Sequence, residues 1–313
     1  MKRRKFISNS VLGALAVSSI GACTAMAGEK KKRVLRIAHI TDMHIFPDAT
    51  PEKGIQNLLE QLHGMEDKPD FVINTGDNIM DSLKRGKEDV AAQWAAWKTN
   101  FRDKLQYELF NCIGNHDVWG WGLDDEEVKT DPLYGKAWAR KMLGLEESTY
   151  YSFERNGWKI ICMDSPMHDE NGHAYTAKID EEQFAWLEKS LAETSPEMPV
   201  MIASHIPILT PTVFFDGDNE KTGDWNIPGS WMHIDARRIK DLLKKYPNVK
   251  LAISGHVHLA DEVKYLDVDY VCNGAACGGW WEGPYQEFHP AYAVIDLYED
   301  GTFKNQLISY EWK

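Results

Sequence analysis

Cysteine is scarce in this chain of 313 residues, and its spacing carries no pattern. No two of the five cysteines stand in the Cys-x-x-Cys arrangement that is typical of zinc and redox sites. No disulfide framework can therefore be read from the sequence, although an oxidising compartment would allow disulfides. We expect free, buried thiols. The cysteines are Cys23, Cys112, Cys162, Cys272 and Cys277.

Long apolar runs, repeats and basic residues are also lacking. After the N-terminus no segment is long and apolar enough to span a membrane, and no internal repeat, low-complexity tract or Pro/Ser-rich linker is visible. The 35 Lys and Arg are outnumbered by 48 Asp and Glu, a net charge of −13 that repels nucleic acid polymers and anionic lipid headgroups. The composition, 43% hydrophobic and 27% charged, is that of a soluble globular protein with a substantial core.

The first 27 residues have the layout of a cleaved export signal. The basic stretch MKRRKF precedes the weakly apolar ISNSVLGALAVSSIGAC. RRKFI resembles a twin-arginine signal, although Lys2 stands where that signal has Ser or Thr, and an ordinary Sec signal is the alternative. IGAC, ending at Cys23, resembles a lipoprotein box and is slightly favoured, whereas AMA, ending at Ala27, is typical of a soluble product. We expect an exported protein, either periplasmic or anchored at the cell envelope through a lipidated Cys23.

The rest of the chain reads as a charged tether over 28–33 and one domain over 34–313. Six short apolar runs that close on polar residues predict buried strands: VLRIAHITD, DFVINTGD, ELFNCIGNHD, KIICMDS, PVMIASH and VKLAISGH. Helical patterns lie between them, in GIQNLLEQLHGM, DVAAQWAAWKTNF, EEQFAWLEKSLAE and DARRIKDLLKKY. This alternation predicts an α/β fold with largely parallel strands. The C-terminal DEVKYLDVDYVCNGA, AYAVIDLY and TFKNQLISYEW predict further strands in a second sheet, hence a two-sheet sandwich flanked by helices.

Side chains that bind metals follow five of the six predicted strands at their carboxyl ends. This is the edge at which open α/β sheets place their ligand crevice. Each residue alone has an ordinary explanation as a helix cap, a turn residue or a buried histidine. Chance would scatter them over both ends of the strands, so their joint position predicts a site. The residues are Asp42, His44, Asp77, Asn78, Asn115, His116, Asp117, His205, His256 and His258.

The residue types indicate a metal centre. Nitrogen and oxygen ligands without a thiolate suit zinc, manganese or iron, and one carboxylate can bridge two ions. Two ions can activate a shared water and stabilise the charge that develops on an attacked phosphorus. Gly76, Gly114 and Gly255 fit sharp turns that place these side chains over the strand ends.

Five motifs in order, D-x-H, GDN, GNHD, H-x-P and GHVH, closely resemble those of the calcineurin-like metallophosphoesterases, and they span residues 42–258. ICMDSP, FAWLEKSLAE and SHIPI are similar to the branch that contains the class III cyclic nucleotide phosphodiesterases. The resemblance implies a four-layer α-β-β-α fold, two divalent or trivalent ions (Mn, Fe or Zn) and hydrolysis of phosphate esters by in-line attack of a hydroxide held between the ions. A purple tyrosinate-iron site is disfavoured, because Met80 stands where purple acid phosphatases have Tyr and His44 where they have Gly.

The resemblance also implies residue roles. His116 is expected to face the substrate, where it stabilises the transition state or protonates the leaving oxygen. His256 and His258 are expected to bind different ions. The implied ligands are Asp42, His44 and His258 for the first metal, Asn115, His205 and His256 for the second, and Asp77 as the bridge.

Loops on the same side are rich in tryptophan, namely Trp119, Trp121, Trp225, Trp231, Trp280 and Trp281. We predict that Trp119, Trp121, Trp225, Trp280 and Trp281 stack on a base or an apolar leaving group; the alternative is that they pack the loops onto the domain. Acidic residues at 124–126 disfavour a long polyanion such as DNA, so a small phosphate ester is the expected substrate.

The sequence favours an exported phosphodiesterase. The first alternative is a phosphomonoesterase of the acid phosphatase or nucleotidase type, which would need cationic side chains for a dianion, and Lys221 is the only one near the motifs. A second, less favoured alternative is a non-catalytic metal-binding surface lipoprotein, since fold does not fix function.

Overall fold

All six predicted apolar runs form strands in the computed structural model, which describes residues 31–145, 147–169 and 173–312. The strands are β1 (Arg33–Ile40), β2 (Phe71–Asn74), β3 (Leu109–Asn111), β4 (Tyr151–Arg155), β5 (Trp158–Cys162), β6 (Pro166–His168), β7 (Tyr175–Ala177), β8 (Val200–Ala203), β9 (Val249–Ser254), β10 (Ala260–Tyr265), β11 (Val268–Asn273), β12 (Ala291–Tyr298) and β13 (Phe303–Ser309). The helices are α1 (Ala49–Gly64), α2 (Lys87–Trp97), α3 (Glu126–Lys129), α4 (Ala137–Leu143), α5 (Glu181–Ala192) and α6 (Ala236–Leu243).

The long strands form two sheets, in the orders β13-β12-β1-β2-β3 and β10-β11-β9-β8-β5-β4, and β6 pairs with β7 in a separate hairpin. Strands β1, β2 and β3 are parallel, as are β5, β8, β9 and β11. Helices α1, α2, α5 and α6 lie between consecutive parallel strands, as expected for crossover connections. The carboxyl ends of the parallel strands therefore meet at one edge of each sheet.

Adjacent residues of a strand serve different layers of the core. Ile37 of β1 packs between the two sheets, whereas its neighbour Ala38 packs against the face that carries α1 and α2. Ile160 and Ile161 of β5 divide in the same way between the inter-sheet core and the layer of α5 and α6. Side chains alternate across a strand, so a run that is apolar throughout is buried on both faces. The result is the predicted α-β-β-α sandwich.

The helices are set by local signals in the sequence. Asp48 precedes α1 and its side chain accepts the backbone N–H of Thr50, while Asp180 caps α5 by accepting the N–H of Gln183. Such caps satisfy donors that a helix N-terminus leaves unpaired. The buried face of α1 includes Ile55 and Leu59, which recur at helical spacing and pack on the first sheet.

The C-terminal strands are divided between the two sheets, whereas the sequence predicted that they lie in the second. Strands β12 and β13 join the first sheet beside β1, and the hairpin β10–β11 joins the second sheet beside β9. The parallel strands are themselves divided between the two sheets. Pairing partners are chosen by tertiary contacts, which strand propensity does not record.

Residues Lys31–Lys313 form one compact unit. The predicted export signal (1–27) lies outside the described residues, as does most of the predicted tether (28–33). Arg33, the last residue of the predicted tether, is the first residue of β1, where it pairs with Tyr298 of β12, and its guanidinium hydrogen-bonds Asp67 with distances of 2.5 and 2.6 Å. Among the described residues, no helix combines the length and apolarity that a bilayer crossing requires.

The four cysteines in the described part of the chain are free and buried, as predicted for them. Burial raises the pKa of the Cys272 and Cys277 thiols above the usual value.

Candidate metal centre

The structure brings all seven predicted ligands together at the carboxyl ends of five parallel strands. They come from both sheets: β1, β2 and β3 belong to the first sheet, and β8 and β9 belong to the second. Asp42 and His44 follow β1, Asp77 follows β2, Asn115 follows β3, His205 follows β8, and His256 and His258 follow β9.

Histidine nitrogens and carboxylates of the first group converge closely. Nε2 of His44 lies 3.1 Å from Nε2 of His258 and 3.6 Å from Oδ2 of Asp77. Oδ1 of Asp42 lies 3.5 Å from Nε2 of His258. The other nitrogen of His258, Nδ1, lies 2.6 Å from the carbonyl oxygen of Gly278, which accepts its proton and leaves Nε2 free to bind a metal.

A second group surrounds the same carboxylate from the other side. Nε2 of His205 lies 3.2 Å from Oδ2 of Asp77, 2.9 Å from Oδ1 of Asn115 and 3.2 Å from Nδ1 of His256. Nε2 of His256 faces the carbonyl oxygen of Ser230 at 2.9 Å. Asp77 is thus common to both groups, which is the position predicted for a bridge. The assignment of each residue to a particular ion stays a prediction.

Five of the seven side chains stand on left-handed backbone, with φ of 52° at Asp42, 43° at His44, 51° at Asp77, 75° at His256 and 58° at His258. Non-glycine residues rarely adopt this conformation, and it concentrates at functional sites where surrounding contacts enforce it. Backbone hydrogen bonds hold the turns. The N–H of Asp42 donates to the carbonyl of Gly76, and that of His44 donates to the carbonyl of Asp77.

Close approach of neighbouring atoms explains all three glycines between these residues, since even at Gly76 a Cβ would lie 2.4 Å from the backbone N of Gly114. A Cβ at Gly255 would lie 2.0 Å from Oγ1 of Thr41, and one at Gly114 would lie 2.1 Å from the backbone N of Asp77. Gly76 alone has the positive φ, 118°, of a sharp turn. Glycine is therefore required at these positions chiefly because neighbouring strand ends are crowded, and less because of turn geometry.

The charges of the site favour cation binding. Burial lowers the pKa of His44 and of His256 to about 3, so both imidazoles are neutral near pH 7 and keep a lone pair for a metal. Burial would raise the pKa of Asp77, but the nearby His205 and His116 outweigh it and hold that pKa well below the usual value. Burial also lowers the pKa of His205 and of His258, but charged neighbours outweigh it and hold both pKa values above the usual one, so these two imidazoles would release a proton when a metal ion binds.

One buried oxygen tests the fit directly. Oδ1 of Asp42 has no hydrogen-bond partner among the described residues, although a buried carboxylate oxygen without a donor is costly. It lies 3.5 Å from Nε2 of His258 and 3.9 Å from Nε2 of His44, two nitrogens that already face each other. A cation among these three atoms would satisfy all of them. The donor set therefore fits a bound metal ion.

His116 lies at the opening of the site, with 28% of its side chain exposed. Its ring is in edge contact with that of His44 at 4.9 Å, and its Nδ1 lies 3.4 Å from Oδ1 of Asp81. Burial lowers the pKa of His116, but the Asp77 and Asp81 carboxylates raise it by more, so the net pKa is above the usual value. A protonated imidazole can donate a proton, which agrees with the predicted role. Ligand atoms of His44, Asp77 and His116 nevertheless lie within 4.8 Å of one another, so metal counting must separate the two roles.

Sequence reasoning missed Asp81, and it gave no role to Asn78 and Asp117, two neighbours of the predicted ligands. Asp81 stands four residues after Asp77, outside all five motifs, so no sequence pattern pointed to it. Asn78 and Asp117 follow strand ends but bind each other: Asp117 accepts the side-chain N–H of Asn78 at 3.0 Å and the backbone N–H of Gly114 at 2.9 Å. Burial, with the Asp77 charge, raises the pKa of Asp117 to about 6. These two side chains brace the turns between ligands.

Two of the five tryptophans predicted to stack on substrate are instead core side chains. Trp119 is buried against Trp138, with its Nε1 donating to the carbonyl of Arg85 at 3.0 Å. Trp281 is buried against Trp312. Both side chains thus pack loops onto the domain, which is the alternative to stacking on substrate. Burial of a large indole is favourable when its N–H has a hydrogen-bond acceptor.

The other three tryptophans are less buried. Trp280 stacks on His258 with ring centroids 4.5 Å apart. Trp121 lies 5.2 Å from His168, on the hairpin β6–β7, and Trp225 is exposed on a loop where it contacts Phe214. Of the five, Trp280 alone has a described ring contact with a predicted metal ligand.

Comparison with known proteins agrees with this geometry. The sequence model of the calcineurin-like phosphoesterase family matches residues 35–260. The chain is similar to a 3′,5′-cyclic-nucleotide phosphodiesterase of Nostoc sp., with 22% identity over 294 residues, which are 88% of this chain and 93% of that protein. It is also similar to the 3′,5′-cyclic adenosine monophosphate phosphodiesterase CpdA of Escherichia coli K12, with 22% identity over 298 residues, 90% and 91% of the two chains.

Other relatives extend the comparison. A probable glycerophosphodiester phosphodiesterase GpdQ of Arcobacter nitrofigilis is 24% identical over 235 residues, 71% of each chain. Among solved structures, a dimetal phosphatase from Danio rerio shares the fold with a TM-score of 0.61 at 13% identity, covering 90% of this chain and 100% of that one. The family match contains every strand end from which a site residue projects, and these curated relatives align over most of the chain. The protein is therefore a phosphoric ester hydrolase that belongs to the calcineurin-like phosphoesterase family.

Proposed function

We propose that this protein is an exported phosphodiesterase that uses two metal ions to hydrolyse small phosphate diesters. The observation that carries the proposal is the position of one atom. Oδ2 of Asp77 lies 3.6 Å from Nε2 of His44 and 3.2 Å from Nε2 of His205, which belong to opposite groups of ligands. A carboxylate between two sets of imidazole nitrogens is suited to bridging two ions.

The proposed mechanism divides the work among the chain's own residues. Bound ions would supply Lewis-acid chemistry by polarising the phosphoryl oxygens and lowering the pKa of water. His116, protonated and oriented by Asp81, faces the opening and donates its proton to the leaving oxygen or stabilises the charge that develops there. One ion would be held by Asp42, His44 and His258, the other by Asn115, His205 and His256, and Asp77 would contribute to both.

A diester is favoured over a monoester as substrate for reasons of charge. A monoester carries two negative charges near neutral pH and calls for cationic side chains beyond the metals. Lys221, which the sequence suggested, is exposed and paired with Asp218. The relatives named above as cyclic-nucleotide phosphodiesterases support the same preference, and they make a cyclic nucleotide the leading substrate class.

Turnover of two simple esters tests the proposal. With added Mn²⁺, bis-p-nitrophenyl phosphate should be hydrolysed with a higher kcat/KM than p-nitrophenyl phosphate, and 3′,5′-cyclic AMP should be converted to a monophosphate. The matched control is Asp77→Asn, in which both activities should disappear. A preference for the monoester would favour the phosphomonoesterase alternative of the acid phosphatase or nucleotidase type.

The non-catalytic alternative is separated by metal analysis. A surface lipoprotein that only reuses the fold would be expected to have lost ligands, yet all seven ligand positions hold competent side chains at one edge of the sandwich. Purified protein reconstituted with Mn²⁺ should hold close to two ions per chain. Near-zero metal after reconstitution, or retention of metal without turnover of any of the three esters, would support the non-catalytic alternative instead.

A further inference from the structure

The aromatic residue Trp280 occupies an unusual position beside the candidate metal centre. Its ring stacks on His258 with an interplanar angle of 29°, and its centroid lies 6.2 Å from that of His44. Tyr285 contacts it edge-on at 5.2 Å. Even so, 41% of Trp280 remains exposed. A large apolar side chain that is ordered by ring contacts and still open to solvent has surface available for a ligand.

The loop around Trp280 holds the indole in a fixed place. Trp280 and Trp281 have left-handed φ values of 49° and 71°, which only enforced contacts maintain in bulky residues. The buried Trp281 donates its Nε1 proton to the carbonyl of His44 at 3.0 Å and packs on Trp312. On the outer side, the hydroxyl of Tyr285 donates to Oδ1 of Asp216 at 2.6 Å. The ring is therefore positioned before any ligand arrives, and little ordering entropy is lost on binding.

The position of Trp280 relative to His116 suggests what this surface receives. Both rings flank His44, His116 at 4.9 Å and Trp280 at 6.2 Å between centroids. A phosphoryl group bound over His44 would thus have its organic substituent within reach of the indole. We propose that Trp280 is a specificity-determining residue that stacks on a planar aromatic substituent of the substrate, so that the site prefers aryl and nucleoside phosphate esters to alkyl ones. The inference rests on the proposed phosphoesterase site.

Calorimetric titration of two phosphonates tests it without relying on turnover. Phenylphosphonate and methylphosphonate have no ester bond to hydrolyse, and the small difference in their mean charge at pH 8 is common to the wild type and the variants, so the change in preference between proteins reports the indole alone. The Mn²⁺-loaded wild-type protein should bind phenylphosphonate more tightly. Trp280→Ala should reduce this preference about tenfold, which lies within the usual range for losing one aromatic stacking contact. Trp280→Phe, which keeps a smaller ring, should reduce it about two- to threefold.

The matched control is Tyr265→Ala. Tyr265 is a comparably exposed aromatic residue (48%), but it ends β10 at the opposite pole of the sheet, where β10 pairs with the start of β11. Its loss should leave the preference unchanged. Metal content should be the same in all four proteins.

Three results would overturn the inference: no preference in the wild type, an unchanged preference in both Trp280 variants, or a loss of affinity that is matched by loss of a metal ion. The last would mean that Trp280 only supports His258. Failure of the proposed function is a separate outcome, because it would appear as absent diester turnover in the wild type whatever the binding preference.

Discussion

At the scale of single residues, the ligand positions carry backbone strain. Five predicted ligands have left-handed φ values, a conformation that costs about 1–3 kcal/mol for each residue outside glycine. Hydrogen bonds with carbonyls and side chains of neighbouring turns offset this strain. For example, the Asp42 carboxylate accepts the backbone N–H of His256 at 2.8 Å. Replacement of these ligands should therefore change the local backbone as well as the metal set.

The role of His116 can be separated from metal binding. We expect His116→Asn to retain two metal ions per chain and to slow turnover by about 10²- to 10⁴-fold, the usual effect of losing a positioned acid or base. The loss should be smaller for a p-nitrophenyl ester, whose leaving group departs without a proton, than for an alkyl ester. Equal losses on both substrates would exclude proton donation and leave charge stabilisation. Loss of one ion would instead make His116 a ligand with His44 and Asp77.

The buried His39 predicts a pH dependence of stability. Its Nε2 faces Oγ1 of Thr75 at 2.9 Å, and burial lowers its pKa to about 4. The unfolded chain takes up this proton below about pH 6.5, whereas the folded protein does so only near pH 4, so stability falls as the pH drops through this window. Between pH 7 and pH 5, urea unfolding should show a loss about 2 kcal/mol larger in wild type than in His39→Gln. The same loss in both proteins would refute the assignment to His39.

At the scale of elements, α1 and the loop after β11 fit together through one glycine. A Cβ added at Gly54 would lie 2.1 Å from the buried ring of Trp281, whose Nε1 holds the carbonyl of His44. This contact and this hydrogen bond thereby link α1, the loop after β11 and the predicted ligand His44. A glycine inside a helix normally costs about 1 kcal/mol relative to alanine, and here it makes room for the indole.

Two substitutions in α1 should consequently have opposite effects. Gly54→Ala should lower the free energy of unfolding by about 1–3 kcal/mol through overpacking, and it should weaken Mn²⁺ binding by displacing Trp281. Gly64→Ala is the matched control in the same helix, where a Cβ meets no atom within 4 Å and the change should stabilise by about 0.4–1 kcal/mol. Urea titration and calorimetric metal titration measure both. Stabilisation by Gly54→Ala would contradict the proposed contact.

At the scale of the whole molecule, the site joins the two sheets. Asp42 and Asp77 follow strands of one sheet, while His205 and His258 follow strands of the other. A bound cation would therefore connect the two halves of the sandwich, and ligands that bind only the folded state stabilise it.

Mn²⁺ should accordingly raise the free energy of unfolding. At a free concentration of 100 times the dissociation constant, each site should contribute about 2.7 kcal/mol in urea unfolding. Asp77→Asn removes the shared charge and one oxygen, so most of the gain from both ions should be lost. A variant that gained as much from Mn²⁺ as the wild type, with near-normal turnover, would show that Asp77 is not a bridge.

Export is a further prediction for the whole chain, because it depends on residues 1–27. If IGAC is a lipoprotein box, Cys23→Ala should move the protein from the membrane fraction to the soluble fraction. A twin-arginine route carries folded proteins and would allow the metal site to assemble before export. Soluble wild-type protein with a new N-terminus at Gly28 would support cleavage after AMA instead.

The sequence by itself determined the fold class, the strand runs and the polar residues at the strand ends, seven of which are predicted ligands through the resemblance to the calcineurin-like family. These depend on local order: apolar runs of strand length, helical periodicity between them, and competent side chains at one end of each run. Asp42, Asp77 and His205 could be grouped without coordinates, because parallel strands end at the same edge.

Only the tertiary structure decided the rest. It paired β12 with β1, placed Asp81 beside His116, and buried Trp281 while leaving Trp280 open on His258. Each of these outcomes depends on contacts between segments far apart in the chain. Two adjacent tryptophans have the same composition and propensity, and only the atoms that surround each one separate a core side chain from an exposed one.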